Sequence, residues 1–110
     1  NDLIDKYLNE ANKDFDKAFK SWFDKCNKMI EEYYKKNYKN LEPELLTFKK
    51  GKKYIKVIQN NSAWAFVNVE NGDILKPASW SSPAKHARGN IFDKHNGMKF
   101  MTSFGPQYLR

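Results

Sequence analysis

The stretch Ser62-Ala63-Trp64-Ala65-Phe66-Val67-Asn68-Val69-Glu70-Asn71-Gly72-Asp73-Ile74-Leu75-Lys76 decides the fold. Two β-rich runs flank Asn71-Gly72, and both of those residue types tolerate the positive φ that a type I′ hairpin turn requires. A two-residue loop there pairs Glu70 with Asp73, Val69 with Ile74 and Asn68 with Leu75. Alternation along the first run puts Ala65, Val67 and Val69 on one face and Trp64, Phe66 and Asn68 on the other. Both faces are apolar, so cover is expected on both.

Working back along the chain, residues 45–49 and 54–59 are further short β-rich runs, with Lys50-Gly51-Lys52 and Asn60-Asn61-Ser62 as reversals. The result is an antiparallel meander of three or four strands. Working forward, Ser82 is an N-cap candidate, Pro83 suits a first helical position and Gly89 suits a C-terminal cap. These predict a short helix over 83–88, whose open N–H groups at 82–85 would form an anion site, with Lys85 and Arg88 on one side of it. The tail from Met98 holds Phe100, Met101, Phe104, Tyr108 and Leu109 around Gly105-Pro106, without a steady period. It is expected to lie on the sheet face that the first helix leaves open.

Upstream of Pro43, apolar residues recur at Ile4, Leu8, Ala11, Phe15, Ala18, Trp22, Cys26, Met29 and Tyr33, the spacing of one helical face. Leu3, Tyr7, Phe19, Phe23, Ile30 and Tyr34 widen the stripe, Asp2 can cap its start, and Pro43 forbids continuation. One helix over residues 2–38 is predicted. At ~1.5 Å per residue it would reach roughly 55 Å, against about 20 Å for a six-residue strand. Either one end overhangs and needs a partner, or the chain breaks near 24–27 and folds back as a hairpin. Cys26 sits on the apolar stripe with no base at helical spacing, which reads as a buried thiol.

With 110 residues, 40% apolar and 15% aromatic, the chain is one α+β domain over 1–110: a helical part over 1–43, then a basic part over 44–110. No stretch has the ~18 apolar residues of a membrane span, no signal-peptide core is visible, and the lone cysteine excludes a disulfide framework or a multi-cysteine zinc site. The chain opens at Asn1 rather than Met, which leaves room for a trimmed N-terminus. The charge is uneven: residues 1–43 balance nine lysines against nine acids, whereas 44–110 carry eleven bases and four acids, the whole net +7. Such asymmetry points to an acidic partner, although a lysine- and asparagine-rich composition also follows from AT-rich coding. Eighteen of the twenty bases are Lys, which offers point charges to phosphate rather than the bidentate fork that reads guanine.

The run Asn71-Gly72-Asp73-Ile74-Leu75-Lys76-Pro77-Ala78-Ser79-Trp80, with Pro83-Ala84-Lys85-His86-Ala87-Arg88-Gly89-Asn90-Ile91-Phe92-Asp93, resembles a small uncharacterised family of tailed bacteriophages. The likeness covers roughly residues 50–95. It implies a phage-encoded protein at work in the host cytoplasm or packaged in a virion, and carries no activity with it. The expected element order also resembles that of the double-stranded RNA-binding domain, with Lys85 and Arg88 a thin version of its basic cluster. Here, however, the first helix is too long and the last too short.

Three functions follow as expectations. The first is non-catalytic nucleic-acid contact: Lys49, Lys50, Lys52, Lys53 and Lys56 supply diffuse phosphate attraction, and Ser82, Lys85, His86 and Arg88 a defined anion pocket. The second is a protein-interaction module, an inhibitor of a host factor or a virion component, acting or dimerising through the helix. The third is a metal-dependent nuclease using His86, Asp93 and His95, set against the plainer reading of Arg88, Asn90 and Asp93 as ties for a polar loop. No cofactor, resident metal, catalytic residue or membrane contact is expected.

Overall fold

The computed structural model describes the backbone of residues 2–107 and the side chains of residues 14–107. One helix, α1 (Asp2–Asn37), is followed by β1 (Leu46–Lys50), β2 (Tyr54–Gln59), β3 (Ser62–Asn68), β4 (Asp73–Pro77), β5 (Pro83–Asn90), β6 (Met101–Thr102) and β7 (Gly105–Pro106). Strands β1 to β5 form an antiparallel meander in chain order, five strands where three or four were expected, and β6 and β7 make a separate small hairpin. The domain is α+β.

The helix does not break at 24–27. It runs on to Asn37, where Lys35 and Lys36 in the last turn complement the helix dipole, and the Asn37 side chain donates to the Tyr33 carbonyl. At ~1.5 Å per residue it spans roughly 54 Å, in keeping with a molecule 55 Å long and only 26 by 25 Å across. Phe15, Phe19, Trp22, Cys26 and Ile30 are buried along it, and Asn27 accepts a hydrogen bond from the Leu46 amide at 2.7 Å where β1 begins. The cap at Asp2 and the stripe positions Leu3, Ile4, Tyr7, Leu8 and Ala11 lie outside the described side chains, as Tyr108 and Leu109 lie outside the described residues.

The helix packs on the sheet face formed by Leu46, Ile55, Val57, Ala65, Val67 and Ile74. The tail packs on the same face, which corrects the expectation that it covers the other one. Met101 belongs to this core, Cys26 Sγ lies 3.9 Å from Met98 Sδ, Asn96 donates to the Ala18 carbonyl of the helix, and Lys76 donates to the Pro106 carbonyl.

Two further expectations change in register. The tight hairpin is at Asn60-Asn61, where Gln59 pairs with Ser62 and Asn60 has φ 57°. At Asn71-Gly72 the pairs are instead Phe66 with Leu75 and Val67 with Ile74, and only Gly72 has positive φ. The reason is local: Asn68 Oδ1 accepts from the Glu70 and Asn71 amides, and its carbonyl accepts from Gly72, so a longer loop closes two residues earlier. The slip is even, and the faces survive it. A bulge in β3 has the opposite effect. Val57 pairs with Ala65 but Ile58 with Ala63, so the extra residue, Trp64, turns to the helix side and meets Trp22 at 6.2 Å between ring centroids.

The segment 83–90 is a strand, not a short helix. A two-turn helix lacks the length to sustain itself and would bury only Ala84 and Ala87. As a strand it satisfies the outer backbone edge of β4, whose Ile74 and Leu75 are buried. Pro83 at its first position costs no ladder hydrogen bond.

Trp22 is fully enclosed, and its indole N–H, like that of Trp64, has no partner. Trp22→Ala should lower unfolding free energy by about 3–5 kcal/mol. Trp22→Phe should cost clearly less, because it also removes an unpaired buried donor. Urea unfolding of the two variants against the parent protein checks this ordering.

Candidate functional site

Because helix and tail share one face, the other face of the sheet is left to its own side chains. Strand pairing sets them out: Lys49 opposite Lys56, Lys56 opposite Phe66, Phe66 opposite Leu75, and Tyr54 on the same side as Lys56. The loop between β4 and β5, closed by hydrogen bonds from the Ala78 and Ser79 amides to the Ser82 carbonyl, brings Trp80 onto this face. Lys56 Nζ lies 3.9 Å from the centroid of the Trp80 ring, within cation–π range. Lys53 Nζ lies 5.6 Å from the centroid of the Tyr54 ring, and Tyr54 meets Phe66 edge to face at 6.0 Å.

A shallow hollow of about 350 Å³ lies here, lined by Lys49, Lys53, Lys56, Tyr54, Phe66 and Ser81 among others, with no carboxylate in its wall. Among the described residues the ion pairs are Lys20 with Asp24 and Lys50 with Asp16. Lys49, Lys53 and Lys56 thus carry charge that no acidic side chain of the described chain neutralises. Lys50, next along β1, also borders the hollow, but its ammonium lies 3.8 Å from Asp16 of the helix.

The predicted site residues divide. Lys53 and Lys56 come together on the bare face. Lys52 is exposed in the adjoining β1–β2 turn without lining the hollow. Ser82, Lys85, His86 and Arg88 do not form the anion pocket expected of them, since no helix N-terminus exists at 82–85. Lys85 and His86 are exposed along the edge strand β5. Arg88 sits where the register of β5 shifts and is spent on backbone, donating to the carbonyls of Gln107 and His86. Sequence reasoning passed over Tyr54 and Trp80. The alternation Tyr54-Ile55-Lys56-Val57 already put Tyr54 and Lys56 on one face, and Trp80 stood out as a large ring among serines.

The polar loop after β5 ties down backbone. Asn90 donates to the Asn71 carbonyl and to Asp73 and accepts from the Phe92 amide. Asp93 accepts from the amides of Gly97 at 2.9 Å and His95 at 2.8 Å. These hydrogen bonds, Gly97's first, hold the Asp93 carboxyl below the usual carboxylate range. Gly97 itself has φ 73°, and a Cβ there would collide with the Ile74 side chain. Among the described residues no three His, Cys, Asp or Glu side chains gather as a metal site would need, so His86, Asp93 and His95 do not assemble one. Cys26 is buried, and burial pushes its thiol far above the ordinary range, away from reactivity. No helix among the described residues is long and apolar enough to cross a membrane.

Fold and site together define a small α+β domain with one sheet face buried under helix and tail and the other free of both, where basic and aromatic side chains surround the buried Phe66 and Leu75. The chain belongs to a family of unknown function, DUF7717, whose profile matches residues 3–105. No curated protein and no solved structure matches it.

The Asp93 loop makes a pH prediction. A carboxyl whose pKa is lowered by folding stabilises the fold above its unfolded pKa of about 3.9, and that contribution disappears as pH falls through the lower folded value. Asp93→Asn should therefore melt below the parent protein at neutral pH, and the gap should narrow on acidification below the unfolded carboxyl value of about 3.9. Thermal unfolding followed across that range checks it.

Proposed function

We propose that this protein is a non-catalytic, phage-encoded accessory protein that binds nucleic acid through the bare face of its sheet. The observation that carries the reading is the juxtaposition of Lys49, Lys53 and Lys56 with Tyr54 and Trp80 on a surface free of carboxylates. Lysines supply phosphate attraction without base readout, so affinity is electrostatic and sequence-tolerant. The resemblance of residues 50–95 to a bacteriophage family supports a setting in the infected host cytoplasm. Lys52 adds to the same field, and Lys85 and His86 lie along the far edge of the sheet.

A second reading, a protein-interaction module, is favoured by one observation. Tyr38, Leu41 and Phe104 are exposed near the C-terminal end of α1, where Tyr33 packs against both Tyr38 and Phe104. If that patch pairs two copies, sedimentation shows a dimer that Phe104→Asp returns to monomer. A monomer at every concentration removes self-pairing through this patch.

For the first reading, oligonucleotide affinity should fall steeply with added salt. Replacing Lys49, Lys53 and Lys56 together by Ala should weaken binding about tenfold or more at low salt and flatten the log–log salt slope by roughly 2 to 3, at ~0.7–0.9 ions per phosphate contact. Lys28→Ala on the exposed side of the helix should leave both unchanged. Fluorescence anisotropy across a salt series measures all of these, and salt-independent binding or none at low salt overturns the reading.

A further inference from the structure

We infer that the bare face takes single-stranded nucleic acid, with an unpaired base stacked on Trp80; the inference rests on the nucleic-acid reading above and names its substrate class. Three observations carry it.

The first is the state of the Trp80 ring. An indole costs free energy to leave in water, yet Trp80 is 50% exposed, whereas Trp22 and Trp64 are 0% and 5% exposed. The ammonium of Lys56, 3.9 Å from the ring centroid, holds the ring by its π-face and so fixes its orientation. A ring fixed on one face and wet elsewhere is a stacking platform whose ordering cost is already met in the free protein.

The second is its position between two hollows. On one side lies the basic hollow of about 350 Å³, lined by Lys49, Lys53 and Lys56. On the other lies a second hollow of about 280 Å³, lined by polar and apolar residues alike, Asn61, Ser62, Ala63, Pro77 and Ser79 among them, together with Trp80 itself. Ser81 borders the first hollow and Trp80 the second, so the β4–β5 loop contributes to both. A chain running from one hollow to the other past this loop brings a base to Trp80 while its phosphates pass the lysines. An unpaired strand does this without penalty, whereas a duplex hides its base faces in its own stack.

The third is the chemistry of the charges. Lysines in a row beside an aromatic side chain are the pattern that tracks a phosphate backbone and lets successive bases find π-surfaces irrespective of sequence. The half-exposed ring of Tyr54, backed edge to face by the buried Phe66, favours bases over the hydrated headgroups of an anionic membrane.

The test uses the full chain and a roughly 15-nucleotide oligothymidylate, near the top of the site sizes typical of such folds. A blunt duplex of equal length and vesicles containing anionic phospholipid are the comparison ligands. Trp80 is the exposed one of three indoles, so the part of the quenching that Trp80→Ala abolishes reports stacking on it. The expected result is strand binding with quenched emission, at least about tenfold tighter than duplex binding at the same salt. Trp80→Ala should lose about tenfold or more of the strand affinity, with duplex affinity little changed, while Trp80→Phe should recover part of it. Circular dichroism confirms that each variant is folded. Equal strand and duplex affinity, with Trp80→Ala without effect, overturns this inference and leaves electrostatic nucleic-acid binding standing. Vesicle binding with no oligonucleotide binding, or no binding to any of the three, overturns both.

Discussion

The arrangement of this molecule follows from one packing event: the aromatic stripe of the helix against the sheet, centred on Trp22 and Trp64. Trp22 is enclosed by Phe19, one helical turn before it, and by Trp64, which the β3 bulge delivers to that side. Without the extra residue, simple alternation would leave Trp64 on the opposite face and the helix would meet a smaller, flatter surface. The apolar excess of one sheet face is thereby concentrated where the helix can use it. The unpaired N–H groups of the two indoles show the cost of that choice, which the buried ring area offsets.

The same packing explains why the tail joins the helix instead of covering the bare face. The tail offers Met98, Met101 and Pro106, which fit beside Cys26 and against β3 and β4, where apolar area is still open. The opposite face offers Lys49, Tyr54 and Lys56, and covering lysine ammonium groups with a hydrophobic segment would strip them of water without partners. The tail therefore takes the side that stabilises it. The lysines keep theirs exposed, and the β4–β5 loop contributes only the single ring that a lysine can hold.

Much of this was legible from pattern. The helix over 2–38 was fixed by unbroken apolar spacing without Gly or Pro, and its observed extent differs by one residue. The meander was fixed by turn signals between short β-rich runs. The misreadings have local physical causes. Asn68 carries a side-chain acceptor that outcompetes the ideal two-residue turn at Asn71-Gly72, and no period reveals that. The β3 bulge depends on how two strands match across the sheet, which one strand cannot disclose. Residues 83–90 bear helix-boundary signals at both ends, but the pairing demand of β4 overrides them. That misreading displaced the candidate site: the charge excess in 44–110 was visible, while its focus moved from Lys85 and Arg88 to Lys49, Lys53 and Lys56 once the short helix proved to be a strand.

Arg88 shows why the focus lies where it does. Its guanidinium is the group best suited to seize a phosphate, and a count of charges would place it first. Yet two of its N–H groups are committed to the carbonyls of His86 and Gln107, and they help fasten the tail beside Lys76, whose own ammonium is held by Pro106. Drawing Arg88 to a ligand would give up these hydrogen bonds and leave the His86 and Gln107 carbonyls without that donor. The lysines of the bare face make no such hydrogen bonds to the described backbone: Lys56 and Lys53 instead lie against the rings of Trp80 and Tyr54, contacts that leave their ammonium groups open to further partners. Charges that tie backbone together and charges without an ion-pair partner are thus divided between the two faces of one sheet.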